Sequence, residues 1–316
     1  MGEECRKDIG NLPKNKKGMK TFSLFRRFLE EYRSRGLKGT ILYFMKKIRY
    51  KLGSATYPKA LFIEITSKCN LNCSICWWQK ADAKRERHWM TFRDFRKIVD
   101  DTEFFCESIT LSFNGEPLLN NDIYSMITYA KRCGICVEIH TNGMLLNEKN
   151  RRELLKSMPD EMVISFDGAT RETYESIRIG GNFDVVVRNI RDLVKERNSH
   201  KKKKPRVEMQ MVVNKQNVGE IAKFEKLGKF LKVDGAYLKT LYINQTASED
   251  YIAHLRNEYL LDGELSRYKI NSNGKLLLKK AESPCPYYQG VATIMCDGKV
   301  VMCCFDLYEE YVFGNV

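Results

Sequence analysis

The sequence predicts an α/β protein built as a partial (β/α)6 TIM-like barrel, with a basic helical extension at its N-terminus and an incomplete cysteine-rich extension at its C-terminus. Three observations predict it. Between Pro58 and Asn244, short β-rich runs alternate with longer runs of helical period, the pattern of a parallel sheet with right-handed crossovers. That span is 187 residues, against roughly 190 for six of the eight units in a standard barrel of about 250 residues. Polar, turn-forming residues also gather just after the second, third and fourth runs, where a barrel of this kind carries its site. A doubly wound open sheet fits the length almost as well.

Residues 1–57 form the first segment, residues 58–244 the barrel and residues 245–316 the linker and extension. Residues 1–20 are rich in Lys and Asn without periodicity and read as a mobile tail. From Phe22 to Leu52 the apolar residues Phe25, Phe28, Leu29 and Tyr32, then Ile41, Phe44, Met45 and Ile48, recur at helical spacing. Gly36 and Gly39 divide them into two short basic amphipathic helices, which either lie on a membrane surface or pack on the following domain. Strands are expected at Ala60–Thr66, Ser108–Phe113, Val137–His140, Met162–Phe166, Arg206–Val213 and Ala236–Ile243. Helices are expected near Thr91–Asp101, Asp122–Arg132, Glu148–Ser157, Phe183–Asn198 and Val218–Leu231, with Thr91 and Asn217 as N-caps. Beyond Asn244 come a helical stretch around Tyr251–Leu261, a hairpin signal at Asn271–Gly274, and two short β-rich runs about the turn Asp297-Gly298.

The net charge is +14, with 54 Lys+Arg against 40 Asp+Glu. Residues 1–57 contribute +10 and residues 195–206 contribute +6, leaving the rest at −2. A near-neutral body argues against a nucleic-acid groove and leaves a peripheral membrane or acidic-partner contact at the basic head. No apolar run is long enough to span a bilayer and no signal peptide is evident, so a cytoplasmic protein is expected.

Eleven cysteines are present, and without a secretion signal clustered cysteines read as metal ligands rather than disulfides. Cys69-Asn-Leu-Asn-Cys73-Ser-Ile-Cys76 spaces three thiols as CX3CX2C on one loop after the first strand. Three thiolates can hold three irons of a [4Fe–4S] cluster and leave the fourth open. They also suit zinc, with His88 as the local fourth ligand. Cys285, Cys296, Cys303 and Cys304 form a second group, while Cys5, Cys106, Cys133 and Cys136 are scattered. Cys133 and Cys136 read as buried cysteines, and Trp77 and Trp78 as packing or a wall beside the first group. His140 ends the third strand as a possible acid or base.

The three-cysteine loop, with Ile75 at the apolar position before its last cysteine, resembles that of the radical S-adenosylmethionine (SAM) enzymes. Gly115-Glu116-Pro117, Thr141-Asn142-Gly143 and Ile164-Ser165-Phe166-Asp167-Gly168 follow the next three strands, at the places of that family's SAM-binding segments. The resemblance implies an oxidoreductase-type enzyme that reductively cleaves SAM at the Cys69/Cys73/Cys76 [4Fe–4S] cluster to a 5′-deoxyadenosyl radical, which abstracts hydrogen from a substrate. It implies cofactor contacts at Ile75, Gly115, Glu116, Pro117, Asn142, Ser165 and Asp167, and a reductant such as flavodoxin or ferredoxin. No residue is singled out as catalytic on the substrate.

Cys285, followed after twelve residues by Gly298-X4-Cys303, resembles the opening of a SPASM domain, which holds auxiliary [4Fe–4S] clusters. Cys285 and Cys303 are then the preferred auxiliary ligands, with Cys296 and Cys304 as further candidates. The remaining cysteines of that pattern are absent, so a truncated domain is expected. A peptide or protein side chain is the expected substrate. The alternatives are a sugar or other small molecule, or a zinc-bearing basic binding module.

Overall fold

A computed structural model describes residues 17–51, 58–76, 78, 88–244, 247–272, 275–279, 290–306 and 309–316; at 17–28, 30, 47 and 49–51 only the backbone is described. In chain order the elements are α1 (Lys17–Lys51), β1 (Ala60–Ile63), α2 (Phe92–Thr102), β2 (Ser108–Leu111), α3 (Ile123–Arg132), β3 (Cys136–Thr141), α4 (Glu148–Ser157), β4 (Glu161–Ser165), α5 (Arg171–Ile177), α6 (Phe183–Ser199), β5 (Arg206–Val213), α7 (Ile221–Leu231) and β6 (Gly235–Thr240). There follow α8 (Glu249–Glu258), β7 (Tyr268–Ile270), β8 (Leu276–Leu278), β9 (Val291–Ile294), β10 (Lys299–Val301) and β11 (Val312–Asn315).

Strands β1 to β6 lie side by side in sequence order and all pair in parallel, the six-unit partial barrel expected. Period-2 alternation divides each strand. Leu61, Ile63, Ile109, Leu111, Val137, Ile139, Met162, Ile164, Val207, Met209 and Met211 join the helices' buried residues in one core. The other face carries Thr110, Glu138, His140, Glu161, Ser165, Glu208 and Gln210, in register across neighbouring strands. Thr91 caps α2 as expected, its hydroxyl accepting from Asp94 N. Asn217 makes no side-chain cap: its amide donates to the carbonyls of Asp167 and Val212 and its oxygen accepts from Asn214 N.

Two features refine the expected outline. Helix α1 is two helical runs divided, as expected, at Gly36 (φ 70°, ψ −179°), but the second run continues unbroken through Gly39. At Gly39 a Cβ would stand 2.6 Å from Arg132 O, so the glycine permits close approach to the end of α3 and does not break the helix. At the other end, β9 is the parallel neighbour of β1. With β10 and β11 it extends the main sheet to nine strands among the described residues, so the Asp297-Gly298 turn belongs to a hairpin built onto the barrel.

Ile177, Leu241, Ile243, Leu255, Tyr259, Leu260, Tyr268 and Leu276 form a second, smaller core, against which Ile75 and Val212 pack. It braces the C-terminal ends of the strands.

Candidate functional site

The loop carrying Cys69, Cys73 and Cys76 leaves β1 at the C-terminal rim of the sheet and is tied to each neighbouring turn by its backbone. Glu116 N donates to Lys68 O at 2.8 Å, Asn72 N to Ile179 O at 2.9 Å and Ser74 N to Ile177 O at 2.8 Å. Asn142 Nδ2 donates to Asn70 Oδ1 at 2.8 Å. Gly115 lies so close beneath the loop that a Cβ there would sit 2.2 Å from Thr66 O, and Gly143 takes φ +78° with Val186 against it. Both glycines are therefore demanded by geometry.

Cys73 is buried, while Cys69 and Cys76 are half-buried, and none of the nine described cysteines forms a disulfide. Burial pushes the Cys69 and Cys73 thiols up, and at Cys73 the Arg178 guanidinium acts against it. Among the described residues no three His, Cys, Asp or Glu side chains converge on a single metal ion. A cubane cluster takes one thiolate per iron and asks for spaced thiols on a common loop, which is what this loop offers. His88 is exposed.

Glu116 is wholly enclosed. Oε1 accepts from Thr141 Oγ1 at 2.7 Å and Leu118 N at 3.2 Å, and Oε2 accepts from Asn142 N at 2.8 Å. Burial raises its pKa while these donors lower it. Its carboxylate holds the Thr-Asn-Gly turn in place. Pro117 opens a short 3-10 turn capped by that same carboxylate. Asp167 is fully buried; Oδ1 accepts from Val212 N at 2.8 Å, and Oδ2 pairs with Arg178 Nη2 at 2.6 Å. Ser165 is half-buried and pairs in register with Gln210, whose side-chain oxygen accepts from Tyr237 OH at 3.0 Å.

Arg178 is the residue that sequence reasoning missed. It follows α5, pairs with Asp167, and points Nη1 at Cys73 Sγ across 3.8 Å. Its Nε is buried without a hydrogen-bond partner among the described residues. Burial opposes its charge, and Asp167 and Cys73 together hold its pKa above the ordinary value. Its only signal in sequence is a lone cation before Gly180-Gly181.

Below this rim, His140 Nε2 meets Glu138 Oε1, on a face shared with Glu161 and Glu208. Burial would raise the Glu138 pKa, but His140 holds it down to about 2. Burial, then Glu138 and Glu208, push Glu161 up to about 8.

The second cysteine group is divided. Cys296 is buried in the main core and its backbone N donates to Glu64 Oε2, whereas Cys303 and Cys304 are half-buried after β10. Tyr242 and Phe305 stack nearby at 4.7 Å between ring centroids. Cys133 and Cys136 are buried, and Cys136 Sγ accepts from Arg35 Nη2 at 3.5 Å. Trp78 is buried and donates to Ser67 O. Cys5, Trp77 and Cys285 lie outside the described residues.

The chain matches the family model described as Radical SAM superfamily over residues 63–227. It is 31% identical over 277 residues to the tungsten-containing aldehyde ferredoxin oxidoreductase cofactor-modifying protein of Pyrococcus furiosus, covering 81% of this chain and 74% of that one. It is 26% identical over 274 residues to the mycofactocin maturase MftC of Mycobacterium ulcerans, covering 82% and 72%. Among solved structures, Streptococcus suis SuiB bound to precursor peptide SuiA has the same fold at TM-score 0.61 and 18% identity, covering 85% of this chain and 64% of that one. SuiB bound to S-adenosylmethionine also gives 0.61, at 15% identity, covering 99% and 72%.

Proposed function

This chain belongs to the radical SAM superfamily, and from that premise we propose that it is a peptide- or protein-modifying member whose cluster is held by Cys69, Cys73 and Cys76. The family's enzymes use a [4Fe–4S] cluster and SAM. When bound, the cluster supplies the electron that cleaves SAM. The observation that carries the assignment is the three-thiol loop hydrogen-bonded to the two turns that follow β2 and β3, with Arg178 set against Cys73.

In this reading the chain's residues divide the work of holding SAM. The carbonyls of Gly115–Pro117 would accept from its ammonium, because the Glu116 side chain is engaged by Thr141 and Asn142. Asn142 itself is fixed by Asn70, which accepts from its Nδ2, and by Met144 N, which donates to its Oδ1 at 3.0 Å. Arg178, with an unused Nε–H, is the cation for the SAM carboxylate, and Asp167 orients it. Ser165 and Gln210, paired in register on one face of the sheet, would hold the ribose. Ile75 seals the loop against the smaller core. The His140–Glu138 pair, on the face of the sheet away from the helices, would serve to take up a proton from a substrate. Water is kept out by the packing beneath the rim, which protects a reactive radical from side reactions.

The peptide or protein substrate is supported by the names of the relatives, a maturase and a cofactor-modifying protein, and by the precursor peptide bound to SuiB. Cys303 and Cys304 are the described residues best exposed to serve an auxiliary cluster, with Cys285 as a further ligand; Cys296, enclosed in the core, serves packing. A reductant such as a flavodoxin or ferredoxin completes the cycle. The test is anaerobic incubation of the reconstituted protein with SAM, reductant and candidate precursor peptides, any short peptide encoded near its gene among them. A peptide that loses hydrogen or gains a crosslink, with 5′-deoxyadenosine formed in step, supports the assignment. Turnover of a free sugar nucleotide, with no change in any peptide, would overturn it.

A further inference from the structure

Helix α1 is mounted with its polar side inward. Arg35 is buried and donates from Nη1 to Ile135 O at 2.7 Å, while its other nitrogens pair with Glu31 Oε2 at 2.5 Å and Asp160 Oδ1 at 3.2 Å. Lys204 bridges Glu31 and Asp160 at 3.2 and 2.8 Å, and Lys131 pairs with Asp160 at 2.6 Å. Lys46 donates to Cys133 O at 2.9 Å, and Thr40 is fully buried. The outward side is apolar: Leu37, Ile41, Met45 and Ile48, at steps of four, four and three, are 58%, 48%, 57% and 60% exposed. Such spacing makes one continuous stripe along a helix.

The exposed charge around this stripe is mainly basic. Arg33 and Lys38 are exposed on the same helix, Lys38 paired with Glu103 at 3.1 Å, and Lys201 and Lys203 are exposed on the loop whose Lys204 clasps Glu31. Basic residues of the N-terminal helix and of the loop at 201–204 are thus brought together, Lys204 pairing with Glu31 although 173 residues separate them in sequence. This region lies at the N-terminal ends of the strands, since Ile135 and Asp160 directly precede β3 and β4. The cysteine loop opens at the opposite end. No helix among the described residues is long and apolar enough to cross a membrane.

We propose that the outer face of α1 and the lysine loop at 201–204 together form a docking surface for an anionic lipid bilayer, with α1 lying in the headgroup plane. An apolar stripe beside a cluster of lysines is what such a surface requires, because binding sums buried apolar area and attraction to anionic lipid. The orientation leaves the cysteine rim facing the aqueous side, open to substrate and reductant.

The test is co-sedimentation of the full chain with vesicles of phosphatidylcholine alone and of phosphatidylcholine mixed with phosphatidylglycerol. The protein should bind the mixed vesicles and bind the neutral ones far more weakly. Ile41→Asp with Met45→Asp should abolish binding at unchanged far-ultraviolet circular dichroism. Lys201→Gln with Lys203→Gln should weaken it about 25-fold, roughly fivefold for each charge lost. Hydrogen exchange of the unaltered chain, which needs no substitution, should slow at residues 37–48 when mixed vesicles are added. Equal binding to both vesicle types, or no slowing of exchange at 37–48, would overturn the proposal. So would a chain that binds neither vesicle and forms a dimer that the Ile41→Asp, Met45→Asp variant dissolves.

Discussion

Replacing Asp167 with Asn leaves Val212 N an oxygen to bond but removes the partner of Arg178, which is buried against Cys73. Breaking a buried ion pair from one side costs about 3–5 kcal/mol, because the remaining charge keeps its desolvation penalty. With an unfolding entropy of roughly 2.1 cal/mol/K per residue, a 316-residue chain should lose about 6 °C of melting temperature for a loss of about 4 kcal/mol. Arg178→Met in the same chain removes the orphaned charge, so the double variant should recover at least about 2 kcal/mol relative to the sum of the single changes. Anaerobic calorimetry of the four proteins without the cluster measures this cycle. A shift below about 2 °C for Asp167→Asn, or single costs that simply add, would refute the view that Asp167 exists to neutralise and aim Arg178.

Further outcomes follow from the same geometry. Gly115→Ala puts a Cβ 2.2 Å from Thr66 O, and urea unfolding should show a loss of at least about 3 kcal/mol; a fully stable variant would mean that the loop is not held down there. Arg178→Met should weaken SAM binding at least about tenfold by calorimetric titration of the cluster-loaded protein, through loss of a charge-assisted bond; unchanged affinity would assign the carboxylate to another residue. The Glu161 pKa is raised from 4.5 to about 8, so the folded chain holds a proton that the unfolded chain has released. Stability from this group should therefore fall as pH rises from about 4.5 to 8; Glu161→Gln should flatten that slope in denaturant titrations, and an unaltered slope would assign the dependence elsewhere. Glu138 is depressed to about 2, so its contribution should be present above pH 4.5 and be lost as pH falls toward 2. His140→Ala should remove that acid-side loss, and its persistence would contradict the pairing.

The barrel was legible because strands β1 to β5 each offer one face to the helices. Leu61 and Ile63, or Met162 and Ile164, recur at period two between segments of helical period, and local periodicity of that kind needs no knowledge of distant partners. The pairing of β9 with β1 was not legible, since it depends on a return of the chain across more than 200 residues. The α1 case is more instructive. Apolar periodicity showed that Ile41, Met45 and Ile48 share a side, but not which side meets the body. Asp160 and the carbonyls of Cys133 and Ile135 decide that, by drawing Lys46 and Arg35 inward. At the rim, the cysteines and the Gly-Glu-Pro, Thr-Asn-Gly and Ser-Phe-Asp segments announced themselves by spacing after strands. Arg178 did not, because it reaches the site by tertiary placement alone, and the inward turn of the Glu116 carboxylate is a matter of burial that a motif does not record.

The central claim is that Cys69, Cys73 and Cys76 hold the cluster at which SAM is cleaved. The most direct measurement is 5′-deoxyadenosine release after anaerobic reconstitution with iron and sulfide, with SAM and a strong reductant, comparing the unaltered chain with the Cys69→Ala, Cys73→Ala, Cys76→Ala variant. The account predicts release by the unaltered chain and none by the variant. Equal release by both would contradict it, as would an unaltered chain that stays colourless and binds zinc.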